Sequence, residues 1–357
     1  MDKEMNLQEK LDYISISEGG GFAYEISEIE QEYLKSAKDK SSLAIKILSI
    51  AGGFFATIAF LGFLLILGLY ESEIGMAIFG IVFISVAILL NKKVDKLIVD
   101  TLSISAFLVG LCLLAFGLDG FNWDENMISA TFIAIALIST LIAPNYILSF
   151  SSVLIINGNI MFLIVHNQYY NLIHIYIAVI ALTLSYFFIN EAKIITSGKL
   201  VSKLYDPVRI GLVISFITGL IFVGKRDLLN EGFYIWASSI ITIPISIYIV
   251  SLVLKVIQVT DIKIKILIYT CSFLVLLPTA FSPAISGALL IILLSFLVNF
   301  KTGVAIGIIA FIYFISQYYY DLNFTLLTKS IVLFSSGILF LLFLLFTHKK
   351  LGTDEKI

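Results

Sequence analysis

Charge is scarce in this chain. Only 13% of its 357 residues are Asp, Glu, Lys or Arg, against 59% that are hydrophobic, and its mean hydropathy is +1.03. Soluble domains carry about 25% charged and about 45–50% apolar residues. An ordinary water-soluble enzyme, a disordered chain and a nucleic-acid binder are excluded on that ground. The net charge of −2 adds no polyelectrolyte signal. Cysteine is scarcer still. Cys112 and Cys271 are the two, both inside apolar runs. They form no disulfide framework and no CxxC motif, and they read as small buried apolar side chains. Motifs are missing too. No HExxH, GxSxG, Walker A loop or helix-opening GxGxxG occurs, and no Ser/Lys or paired-Asp set marks an intramembrane protease. The chain is therefore expected to have no catalytic residue, no cofactor and no metal site.

Apolar runs fill the sequence instead. A helix needs about 20 residues to cross a hydrocarbon core of about 30 Å. Twelve runs can be drawn, over 47–69, 74–90, 101–118, 127–143, 146–165, 172–190, 208–224, 233–254, 266–281, 284–299, 303–319 and 330–347. The predicted fold class is all-α, a polytopic transmembrane helix bundle of about 12 spans, with the lipid bilayer as its main partner. The stretch 266–299 holds Pro278 and Pro283 and reads either as two short helices or as one broken, re-entrant element, so the alternative is 10–11 spans. Connectors are short, which makes neighbours in sequence antiparallel neighbours in space. The expected domains are an acidic tail over 1–42, the bundle over 43–347 and a short tail over 348–357.

Lysine placement orients these spans. With the N-terminus inside, 20 basic residues face the cytoplasm, and Lys225, Arg226 and Lys329 face out. Both termini are thus expected in the cytoplasm of a cell whose inner membrane holds the chain. Residues 1–42 carry five Lys and ten Asp/Glu. Ser27 and Glu30 have capping-box spacing, and Ile26, Ile29, Tyr33 and Ala37 share a face, so a small helical hairpin is expected there. It serves either as a cap on the protein's own loops or as a docking segment for a membrane-protein partner.

Ionisable groups in mid-span mark function by default, because lipid makes them costly. This chain has almost none. Asp100, Glu191, Asp206 and Arg209 sit near span ends. The fifth span is more informative. At about 100° per residue, Asn145, Ser149, Ser152, Asn159 and His166 project to one side. Asn157 points elsewhere, with Gly158 between the two asparagines. The sixth span offers His174, Ala178, Ala181 and Ser185. Two readings stand side by side. Polar and small residues can simply pack helices together, or Asn159, Ser152, His166, His174 and Asn157 can line a polar cavity between spans five and six. Gly303, Gly307 and Ala310, Gly52 with Ala56, and Gly211 with Ser215 read as packing stripes. Pro244 should bend its helix or free a carbonyl.

Two patches carry a family resemblance. Ile47-Leu48-Ser49-Ile50-Ala51-Gly52-Gly53-Phe54-Phe55, continuing to Leu61-Gly62-Phe63-Leu64, is similar to the first span of an uncharacterised bacterial membrane family, classed as a domain of unknown function. Leu204-Tyr205-Asp206-Pro207-Val208-Arg209 resembles the same family ahead of span seven. Its members often neighbour membrane proteins with a GDYXXLXY motif. The resemblance implies an inner-membrane location and a membrane partner, and it brings no catalytic residues. Two functions follow: a transporter of a small neutral or lipid-like molecule, or a non-catalytic subunit or scaffold that recruits a partner through the acidic tail.

Overall fold

The computed structural model describes residues 43–93, 97–225 and 235–321, with isolated positions at 327, 331, 334, 337, 338 and 341. The predicted tail hairpin over 1–42, the outer loop at Arg226, Lys329 and nearly all of the run 330–347 lie outside the described residues. Within them the chain is helical throughout. Eleven long helices fall on eleven of the predicted runs: α1 Leu43–Ile66, α2 Glu73–Lys93, α3 Leu97–Gly120, α4 Glu125–Ile142, α5 Tyr146–His166, α6 Leu172–Ile189, α7 Lys199–Gly224, α8 Ser239–Val256, α9 Ile262–Leu276, α10 Pro283–Leu297 and α11 Lys301–Asp321. Among the described residues, nine helices are long and apolar enough to cross a membrane, and the apolar parts of α1 and α10 are shorter. This is a multi-pass helical membrane protein. Its outer surface is apolar: Phe55, Ile66, Phe273 and Ile309 are all at least half exposed, as lipid-facing side chains are.

Local chemistry sets the helix ends. Asp124, Asn145 and Asp261 cap α4, α5 and α9, each side chain accepting the N–H two residues on. Four helices end in one way. Asn122, Gln168, Gln258 and Asn299 take positive φ of 54–59°. Behind them the N–H of Trp123, Tyr169, Val259 and Phe300 reaches back to the carbonyl of Leu118, Ile164, Leu254 and Ser295. This closure satisfies carbonyls that the helix leaves orphaned. Pro278 and Pro283 open a 3-10 turn over Pro278–Phe281 and helix α10, where a missing N–H costs nothing. The stretch 266–299 is thus two helices joined by a tight turn. Helix α8 continues through Pro244.

Contacts between ends establish the course of the chain. Asp100 at the start of α3 accepts a hydrogen bond from Asn145 at the start of α5. Arg209, in the third turn of α7, meets Glu191, just past α6, and Phe300, just before α11. At the opposite end Asn126 of α4 pairs with Asn167 after α5, and His174 of α6 with Ser238 before α8. Thr242 of α8 bonds Ser286 of α10 near the same end. The helices therefore run up and down in alternation, and α10 travels from one end of the bundle to the other. Its 15 residues span only about 22 Å. Being enclosed by α6, α7, α8 and α11, it is sheltered from lipid by protein.

Two large apolar cores result, beside a minor cluster of Leu64, Met76, Val109 and Leu113 where α1, α2 and α3 meet. The larger joins α5–α8, α10 and α11 around Phe216, Leu220, Ile177, Leu184 and Ile291. The smaller joins α2, α3 and the start of α5 around Phe107, Ala87 and Leu148. Helices α2 and α3 meet backbone to backbone. A Cβ on Gly80 would lie 2.7 Å from the Leu114 nitrogen, on Gly110 2.8 Å from the Gly80 oxygen, and on Gly117 2.7 Å from the Ala77 nitrogen. Gly303, Gly307 and Ala310 are buried against α10, and Gly211 with Ser215 is buried on α7, as expected of packing stripes. The stripe drawn through Gly52 and Ala56 is a correction. Both are exposed, and Gly53 and Thr57 make the contact one residue round the helix. The Ser105 hydroxyl donates to the Gly53 carbonyl at 2.9 Å.

Candidate functional site

The polar face of α5 exists, but it does not look at α6. These two helices barely touch, and α5 packs instead on α4 and α7. Small residues on α7 allow the approach: a Cβ on Gly211 would lie 2.8 Å from Val153 Cγ1. Ser152 is fully buried, its hydroxyl 3.2 Å from that of Ser139 on α4. Asn159 donates to its own helix at Ile155 and lines a small pocket of about 210 Å³ against Glu125, Ile128, Ser129 and Phe132 of α4. His166 stacks on Phe162 and sets Nδ1 3.1 Å from a Glu125 carboxylate oxygen. His174 lies apart from all of these, with Nδ1 2.6 Å from the Ser238 hydroxyl. The five residues are thus not brought to one cavity. Among the described residues, no three of His, Cys, Asp and Glu gather as metal ligands.

Asn157, the residue off the stripe, faces the larger space. A groove of about 490 Å³ lies between α5 and α7, with Tyr176 of α6 at its floor. Its walls are Leu154, Met161, Phe162, Val165, Ile214, Thr218 and Phe222. The floor is polar. The Tyr176 hydroxyl sits 3.3 Å from Asn157 Oδ1 and 3.4 Å from the Ser215 carbonyl, and can donate to either. The Asn157 amide donates to the Val153 carbonyl at 2.8 Å. The Ser215 hydroxyl oxygen is buried beneath this floor with no hydrogen-bond partner among the described residues. The rim is open. No heavy atom beyond its own surroundings lies within 4 Å of where a Gly158 Cβ would stand, and Gly158 and Thr218 are exposed. Among the described residues, no charged side chain lines the groove. Such a space takes an apolar body with a neutral polar group, because an ionised one would lose its hydration without a counter-charge.

A second polar centre escaped the sequence reading as a site. Arg209, in the third turn of α7, is buried at the end of the bundle where α6 ends and α11 begins. Its two terminal nitrogens donate to Glu191 at 3.0 Å and Asp206 at 2.6 Å. Its guanidinium lies 3.9 Å from the Phe300 ring centre, 4.8 Å from Tyr205 and 5.6 Å from Phe188. A planar, weakly hydrated cation suits this stacked and forked arrangement; lysine does not. The signal was present: this is one of two arginines beside 21 lysines, with Asp206 and Tyr205 at i−3 and i−4.

No curated protein and no solved structure matches the chain. The family described as a domain of unknown function (DUF4401) matches residues 42–350, from the start of α1 to past the last apolar run, and the chain belongs to that family.

Proposed function

We propose that this protein is a non-catalytic carrier of a neutral, lipid-like molecule in the cytoplasmic membrane, and that the groove between α5 and α7 is where the molecule sits. One observation carries the reading. A groove of about 490 Å³ with apolar walls and a hydroxyl-and-amide floor opens sideways at Gly158. That volume is within the usual range for small-molecule sites, about 300–1,000 Å³. A lateral opening suits a molecule that arrives from the bilayer. The Asn157 and Tyr176 side chains at the floor would meet its polar group. The lysine distribution puts the groove in the outer half of the bundle.

The test is transbilayer movement. Purified full-length protein is reconstituted in vesicles with a neutral glycolipid bearing a fluorescent NBD acyl chain, and its movement is read by dithionite quenching. The wild type should accelerate movement above protein-free vesicles. Gly158→Trp, which fills the groove from a position with empty space around it, should abolish the acceleration while leaving the melting temperature unchanged. A wild type that gives no acceleration, or a folded Gly158→Trp protein that moves the lipid at the wild-type rate, overturns the proposal.

A further inference from the structure

A different crevice carries a second, independent site. It lies between α8 and α9, where the last turn of one helix faces the first turns of the other, and it encloses about 230 Å³. Each helix presents a pair four residues apart. Ser251 and Lys255 come from α8, Lys265 and Tyr269 from α9, and i,i+4 spacing stacks the members of each pair on one face. The connecting loop is fixed rather than loose: Gln258 takes φ 58° and the Val259 N–H closes back on the Leu254 carbonyl at 3.1 Å. Asp261, the one carboxylate in this loop, caps α9 through the Lys263 N–H at 2.9 Å. Among the described residues neither Lys255 nor Lys265 is paired with a carboxylate.

We infer that this crevice binds the phosphate of an anionic phospholipid. Lys255 and Lys265 line the crevice together with Tyr269 and with Ser251, whose hydroxyl donates to the Tyr248 carbonyl at 2.7 Å, at the end of the bundle where headgroups would lie. Basic pockets between helices at that level recognise such headgroups. The same two helices offer surface that suits acyl chains: α9 packs on α8 and the turn after it, its span is only 11% buried, and Tyr248, Ile266 and Phe273 on α8 and α9 are exposed. Apolar flanks with a doubly positive end match a diacyl anion in shape and charge. The lysine distribution assigns this end to the cytoplasmic leaflet, where anionic lipid attracts basic segments.

The experiment is native mass spectrometry of the full chain in detergent, titrated with phosphatidylglycerol or with phosphatidylcholine of the same acyl chains. Retention of phosphatidylglycerol should exceed that of phosphatidylcholine by on the order of tenfold. Lys255→Gln/Lys265→Gln should erase the preference. Lys263→Gln, which removes one charge from the first turn of α9 outside the crevice, should keep it, whereas Lys255→Gln alone, which removes the same charge within the crevice, should weaken it. The inference fails if the double variant still prefers phosphatidylglycerol, or if Lys263→Gln loses the preference as fully, which would indicate unspecific attraction. It fails also if millimolar inorganic phosphate displaces the lipid, which would make the occupant a soluble anion. None of these outcomes depends on the groove at Gly158.

Discussion

The α2–α3 and α5–α7 pairs use glycine in opposite ways. In the first, Gly80, Gly110 and Gly117 remove side chains so that two backbones touch, and nothing else fits. In the second, Gly211 brings α7 against Val153 while Gly158, further along α5, faces empty space. Closeness at one level and separation at the next make the groove. A helix pair in lipid gains little from the hydrophobic effect, since the tails are as apolar as leucine. Direct contact must hold it together, so a gap of this size is held open by contacts elsewhere.

The contrast can be broken by substitution. The largest effect is expected at the tight pair. Gly110→Leu would force a side chain into the Gly80 oxygen and the Ile84 nitrogen, costing at least about 3 kcal/mol. The readout is thermal unfolding in detergent, and an unchanged melting temperature would mean that the backbones do not meet. An intermediate effect is expected at the arginine. Arg209→Lys keeps the charge and loses the forked hydrogen bonds and ring stacking, for about 1–2 kcal/mol. If the lysine variant melts with the wild type, charge alone accounts for the cluster. The smallest stability effect, under about 0.5 kcal/mol, belongs to Gly158→Leu, whose side chain enters space with no competing atoms. The same variant should lose photolabelling by a diazirine-bearing fatty alcohol at peptides containing Phe162 and Thr218. Labelling that persists there, or spreads evenly over the apolar surface, would show that the groove holds no guest.

Spans were legible in the sequence because each is a local property. Eleven predicted runs became helices, and prolines 278 and 283 marked the break between α9 and α10. The identity of each helix's neighbour was not legible. The stripe through Ser152, Asn159 and His166 was read correctly as one face, since rotation along a helix is fixed at about 100° per residue. That it meets α4 rather than α6 depends on Ser139 and Glu125, residues that no spacing rule ties to it. Gly52 was mistaken for Gly53 for the same reason: one residue turns the face by about 100°, and only the position of Ser105 on α3 decides which side is inward. Asn157 lay off the stripe, and its relation to Tyr176 and Ser215 belongs to three separate helices. Gly110 and Gly117 of α3 stand seven residues apart on one face, but that this face meets Gly80 and Ala77 of α2 is not written in either helix alone.

The guanidinium of Arg209 knots together the segment just past α6, the third turn of α7 and the approach to α11. The groove occupies the other half of the same helices, around Tyr176 and Thr218. Any spreading of α7 away from its neighbours to admit a guest must therefore pivot about that knot. Such an opening would widen with distance from it, as a pair of tongs does, with the fastened end shut.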